Sequence, residues 1–206
     1  MNLLTRHLAG LADFNGRENR QPFWLWMLIV YATQMVVGTI VMIPMIVSTF
    51  HRLAPMMQGD PHRFDEHPEL VRQIMSQVMV PMISNMMTYL TIAAIVMIGL
   101  VAAAVVRRLH DGDHSGWWAA PIFAYQLAMP LIYAAALPKF FAAFPAIRPG
   151  MSPDQVNAAM APAIQSIAWV SLLGTIGFLM LIVLIVVLAL KGTEGPNRYG
   201  DDPLLH

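Results

Sequence analysis

The chain has no cysteine. No disulfide, thiolate metal ligand, cysteine nucleophile or acylated cysteine is open to it, and its composition says nothing of a redox compartment. Charge is scarce as well: Asp, Glu, Lys and Arg make up 12% of the 206 residues, against about 25% in an ordinary soluble domain. The charge that exists is balanced, 12 basic residues against 12 acidic. Without the basic surplus that a phosphate backbone demands, nucleic acid is excluded as a partner. Also missing are a nucleotide-binding glycine loop, a serine elbow and an HExxH zinc motif. No acid or base lies inside any long apolar run, where an ion-coupled pump or proton relay usually places one.

What is present is hydrocarbon. Hydrophobic residues make up 57% of the chain, and mean hydropathy is +0.58. Crossing a bilayer core about 30 Å thick takes roughly 20 apolar residues in a helix. Four stretches meet this: Phe23 to Phe50, Met79 to Val106, Trp117 to Leu137 and Ile164 to Leu190. They predict an all-α, polytopic protein with four transmembrane helices, a single membrane domain over residues 1–206. Pro44, Pro81, Pro121 and Pro130 are expected to kink spans rather than end them, since neighbours in a membrane satisfy the freed carbonyls. Arg6, Arg17, Glu18 and Arg20 interrupt the N-terminus before any long apolar run, so no cleavable signal is expected there and the first span stays in the protein.

Orientation follows from Lys and Arg beside the spans. Arg6, Arg17 and Arg20, then Arg107 and Arg108 in the 107–116 loop, then Lys191 and Arg198 in the 191–206 tail fall on one side. Arg52, Arg63 and Arg72 in the 51–78 loop, with Lys139 and Arg148 in the 138–163 loop, fall on the other. The bias, and the density of paired arginines at the membrane, put both termini inside. Leu4, Leu8 and Leu11, with Arg6 and His7 between them, predict a short N-terminal helix lying on the inner surface; Asn15-Gly16 then turns the chain. In the outer loops His67-Pro68-Glu69 reads as a helix start, and Ser152-Pro153-Asp154-Gln155 as a capping box with Pro at N1. The shared plan of the two halves allows a tandem pair of hairpins, though few residues match between them.

Three polar segments meet the membrane at the inner side: Phe14-Asn15-Gly16-Arg17-Glu18-Asn19-Arg20 with Phe23-Trp24; Arg107-Arg108-Leu109-His110-Asp111 with Ser115-Gly116-Trp117-Trp118; and Gly195-Pro196-Asn197-Arg198-Tyr199-Gly200 with Asp202-Pro203. In these motifs, in this order, the chain resembles domain-of-unknown-function family 805, small bacterial inner-membrane proteins. The resemblance implies four helices and a cytoplasmic-membrane location, and no established activity. The family pattern usually has Gly where Asp113 stands and a basic residue where His114 stands.

Read from the residues, the arginines are topology anchors on lipid phosphate and Trp24, Trp26, Trp117 and Trp118 an interfacial belt. The functional alternative is one hydrogen-bonded inner-face cluster of Arg17, Arg20, Arg107, Arg108, His110, Asp111, Asn197 and Arg198, with Asp111 accepting from guanidinium forks. His110, Asp111, Asp113 and His114 carry metal-ligand chemistry, but Gly112 and Gly116 favour a loop, and acids beside histidines are commonly just solvated. Met75, Met79, Met82 and Met86 form a thioether stripe suited to Cu(I); adaptable packing explains it more simply. Gln34, Asn85, Gln126, Ser171 and Thr175 are the polar groups available within spans, where such residues usually bond helix to helix. No cofactor is expected, and the expected partners are membrane lipids. The role that follows is structural, accessory, or lipid- or small-solute-interacting through the cytoplasmic-face cluster. The rivals are a membrane enzyme acting on a lipid headgroup, with His110 as acid/base, and a small transporter or facilitator. A deep, closed polar pocket would favour the enzyme, a packed cluster the first reading, and a mid-membrane polar cavity the transporter.

Overall fold

The computed structural model describes residues 2–58, 68–143 and 150–203. Among these residues six α-helices follow in chain order: α1 (Leu3–Ala9), α2 (Arg20–Met57), α3 (Pro68–Ile74), α4 (Val80–Asp111), α5 (Ala120–Ala142) and α6 (Pro153–Ala189). A π-helical turn, Met75–Met79, joins α3 to α4, and a 3-10 turn, Gly116–Ala119, leads into α5. Among the described residues no strand forms beyond an isolated bridge between Asn197 and Gly200.

Four helical stretches are long and apolar enough to cross a membrane: Arg20–Met57, Glu69–Asp111, Gly116–Phe141 and Pro153–Ala189. In none is more than 28% of the most apolar window buried within the chain. Side chains such as Leu28, Met35, Ile40 and Phe178 stand largely exposed. Such surface is untenable in water but matches lipid tails, so the chain is a multi-pass membrane protein.

Start signals act where the sequence puts them. Ser152 Oγ accepts from the Gln155 amide at 3.4 Å while Gln155 Oε1 accepts from the Ser152 amide at 2.9 Å, closing the capping box at α6. Pro68 heads α3 with Glu69 in its first turn; His67 lies outside the described residues. The prolines end no span. Pro44 and Pro55 lie inside α2, Pro130 and Pro138 inside α5, and Pro162 inside α6, while Pro121 falls in the first turn of α5, where its missing N–H is no loss. Beside Pro81 the helix widens into the π turn: directly before it the Val80 amide reaches Met75 O, five residues back. Widening one turn relieves the clash between a proline ring and the preceding carbonyls.

The chain divides into two compact units, Met1–Val37 with Ile92–Ala128 and Thr175–His206, and Gly38–Thr91 with Met129–Gly174. In the first, α1, the 107–116 loop and the tail gather around stretches of all four spans, whose core includes Phe23, Trp26, Val105, Leu109, Ile122 and Leu188. In the second, Ile74, Val78, Ile83 and Met87 are buried, as are Met160, Ala163 and Val170 of α6. There Gly38 lies close to the Tyr89 hydroxyl and Gly174 to that of Tyr133.

The N-terminal helix differs from its expected form. It ends at Ala9, leaving Leu11 outside, with Asn2 as cap accepting from the Thr5 amide at 2.9 Å. Leu4 and Leu8 are exposed, and the residue it buries is His7. Nothing in the i, i+4 pattern marks a histidine for burial; its partners, described next, come from elsewhere in the chain.

Candidate functional site

The C-terminal end of α4 delivers Arg107, Arg108 and Asp111, and Gly16, at φ 80°, turns the chain so that Arg17 and Glu18 arrive beside them. Two carboxylates organise the cluster. Asp111 accepts from Arg17 Nε at 3.1 Å, has Arg17 Nη2 at 3.0 Å, and pairs through its other oxygen with Arg108. Glu18 accepts from Arg107 Nε at 3.0 Å through Oε2 and meets His7 Nε2 at 2.5 Å through Oε1. Both carboxylates are withdrawn from solvent, Glu18 completely and Asp111 to 4% exposure. The other ring nitrogen of His7 faces Leu3 O at 3.0 Å, and its ring stacks on Trp26 at 4.9 Å between centroids. Its two ring nitrogens thus face one carbonyl and one carboxylate. Trp26 in turn donates to Leu100 O at 3.0 Å.

The guanidiniums also complete the backbone. A helix leaves its last carbonyls without partners, and here α4 and α6 end side by side. Arg108 donates from Nε to Leu188 O at 2.8 Å and from Nη2 to Leu190 O, capping the end of α6. The tail that follows caps α4: Thr193 donates from its amide to Asp111 O at 2.9 Å, and Asn197 Nδ2 to His110 O at 2.9 Å. Arg17 donates to Thr193 O and Gly195 O, each at 2.6 Å, and Arg107 to Gly10 O at 3.0 Å. Three guanidiniums against two carboxylates leave an excess of positive charge, and the carbonyl ends of two long helices offset it. Gly192 passes so close to the Asp111 carboxylate that a Cβ would overlap it.

Of the eight residues named from sequence, Arg17, Arg107, Arg108 and Asp111 share this buried core. Asn197 joins through backbone; its side chain also bonds Thr193 Oγ1 at 2.9 Å. His110 stands at the margin, stacked flat on Tyr199 at 3.7 Å with Nδ1 at 3.2 Å from Gly16 O. Arg198 lies outside, in an exposed pair with Asp113 at 3.1 Å. Arg20 faces solvent with no hydrogen bond or ion pair from its side chain among the described residues. His110 and His114 are not a chelating pair: α4 stops at Asp111, and His114 turns edge-on to Trp118. No group of three or more His, Cys, Asp or Glu able to hold a metal occurs among the described residues.

Glu18, His7 and Gly192 were not singled out by sequence. An acid between two arginines reads as a solvated charge run, and a histidine among leucines as the polar side of a surface helix. The available sign was that Glu18 is the one acid in a basic segment directly before a span. The space beside Asp111, lined by Arg17, Arg20, Lys191, Gly192 and Thr193, measures about 40 Å³. At roughly 10–15 Å³ per water it takes a few waters and no headgroup.

A family model described as Protein of unknown function (DUF805) matches residues 11–201. No curated protein matches the chain, and no solved structure does. The chain belongs to the DUF805 family.

Proposed function

We propose, for this member of the family, that the buried cluster is a clasp, and that the protein is a structural or accessory component of the bacterial inner membrane with both termini in the cytoplasm. The observation that carries the reading is that every guanidinium nitrogen of Arg17, Arg107 and Arg108 already bonds a protein acceptor. A phosphate-holding or catalytic arginine needs free donors facing space. Here the donors face carbonyls and the space is water-sized, which speaks against chemistry on a lipid headgroup at this site. The clasp fixes the N-terminal segment, the middle loop and the tail into one surface, and lipid meets the spans and the exposed Trp117 and Trp118.

The test compares Asp111→Asn and Glu18→Gln with Arg20→Gln in nanodiscs of phosphatidylethanolamine and phosphatidylglycerol. Melting temperature and co-purifying lipid, by native mass spectrometry, are read together. The clasp predicts melting lowered by several degrees for the first two, retained lipid in all three, and wild-type melting for Arg20→Gln. Unchanged melting with loss of bound phosphatidylglycerol in Asp111→Asn or Glu18→Gln would overturn it in favour of a lipid site.

A further inference from the structure

Within the first unit the four spans leave a cleft of about 440 Å³. Its floor is buried hydrocarbon, including Val101, Val105, Ile122 and Leu184, and at its mouth Leu28 and Ile185 stand 65% and 45% exposed. It therefore opens sideways, between α2 and α6, toward lipid. Against this apolar lining stand two polar side chains, Gln126 and Tyr31. Among the described residues no hydrogen bond engages the Gln126 amide or the Tyr31 hydroxyl; Gln126 is partly enclosed and Tyr31 stands 50% exposed.

Depth makes this informative. At 1.5 Å per residue Tyr31 lies about 10 Å beyond Trp24, and Gln126 about 13 Å beyond Trp117, the two levels at which indoles mark the interface. Both groups stand in hydrocarbon, where water does not supply the missing bonds and an unpaired amide is costly. A phospholipid that fills the cleft presents only methylenes there, because its ester oxygens stay at the interface. The volume falls within the roughly 300–1,000 Å³ of small-molecule sites, whose form is an apolar wall with a few placed polar groups.

We infer that the cleft binds an uncharged, bilayer-soluble molecule carrying a carbonyl or hydroxyl oxygen on an apolar body, with Gln126 and Tyr31 hydrogen-bonded to that oxygen. A quinone ring and an isoprenoid alcohol share this chemistry. The site is separate from the clasp, and variants at Gln126 and Tyr31 leave the clasp untouched.

Decylubiquinone is the probe, since a quinone quenches indole fluorescence and Trp24 lines the cleft. Titrated into nanodiscs of the full chain, it should quench saturably; Trp24→Phe should remove most of that signal. Gln126→Leu should weaken binding about tenfold and Tyr31→Phe severalfold, each about one hydrogen bond, with melting temperatures at or above the wild-type value. Farnesol, whose hydroxyl meets the same two groups, should displace the quinone; failure to displace would overturn the hydroxyl half of the inference. Quenching that rises without saturation, or that is equally strong in Gln126→Leu, would overturn the inference, as would equal displacement by the oxygen-free hydrocarbon pristane.

Discussion

Asp111 is engaged through both its side chain and its backbone. It holds two arginines through its carboxylate and accepts from Thr193 through its carbonyl. Removing the charge with Asp111→Asn leaves buried cations facing each other and should cost about 3 kcal/mol in equilibrium unfolding. Asp113, two residues on, is a contrast. Its pair with Arg198 is exposed, worth under about 1 kcal/mol, and its backbone sits at φ 58°, a region that glycine adopts most easily, Asp and Asn less so and alanine least. Asp113→Gly should therefore melt at or above wild type and Asp113→Ala below it; Asp113→Gly melting clearly below wild type would mean that the Arg198 pair outweighs the backbone. Gly192→Ala should cost about 1–3 kcal/mol, because the tail cannot pass Asp111 with a Cβ in place. The pairing of Asp111 was legible because arginines flank it in every neighbouring motif. The burial of His7 and Glu18 was not, because it comes from α1 folding onto Trp26, a contact that no local pattern encodes.

At the scale of elements the spans were the most legible feature, since membrane thickness dictates their length and the absence of charge marks them. Their ends were less so: α2 runs on to Met57 and α6 begins at Pro153, well beyond the apolar cores. At α6 the capping box and Pro153 set the start. Ser152→Ala should destabilise the start of α6 by about 1 kcal/mol, seen as faster amide exchange confined to the 153–157 turn; exchange unchanged there would show that the box is idle. The π turn at Met75–Met79 was hidden, because a sequence shows the proline and not how the helix absorbs it. Pro81→Ala restores one amide and should let the segment close to regular α-helix, slowing exchange at residues 75–79; exchange that stays fast would detach the π turn from the proline.

Across the whole molecule the clasp gathers the N-terminal segment, the middle loop and the tail on one side, the same three segments that carry the excess of Lys and Arg. If that side is cytoplasmic, alkaline phosphatase fused after the tail should be inactive and the same reporter in the 51–78 loop active; activity at the tail would invert the topology. The central claim is that these segments are held by a buried charge network, and a double-mutant cycle on its longest-range pair tests that most directly. Arg17→Gln, Asp111→Asn and the double variant are unfolded at equilibrium in mixed micelles. The clasp predicts strong coupling, with the double variant losing at least about 2 kcal/mol less than the sum of the single losses. Losses that add to within about 0.5 kcal/mol would show that Arg17 and Asp111 do not share a buried site, and the clasp would be contradicted.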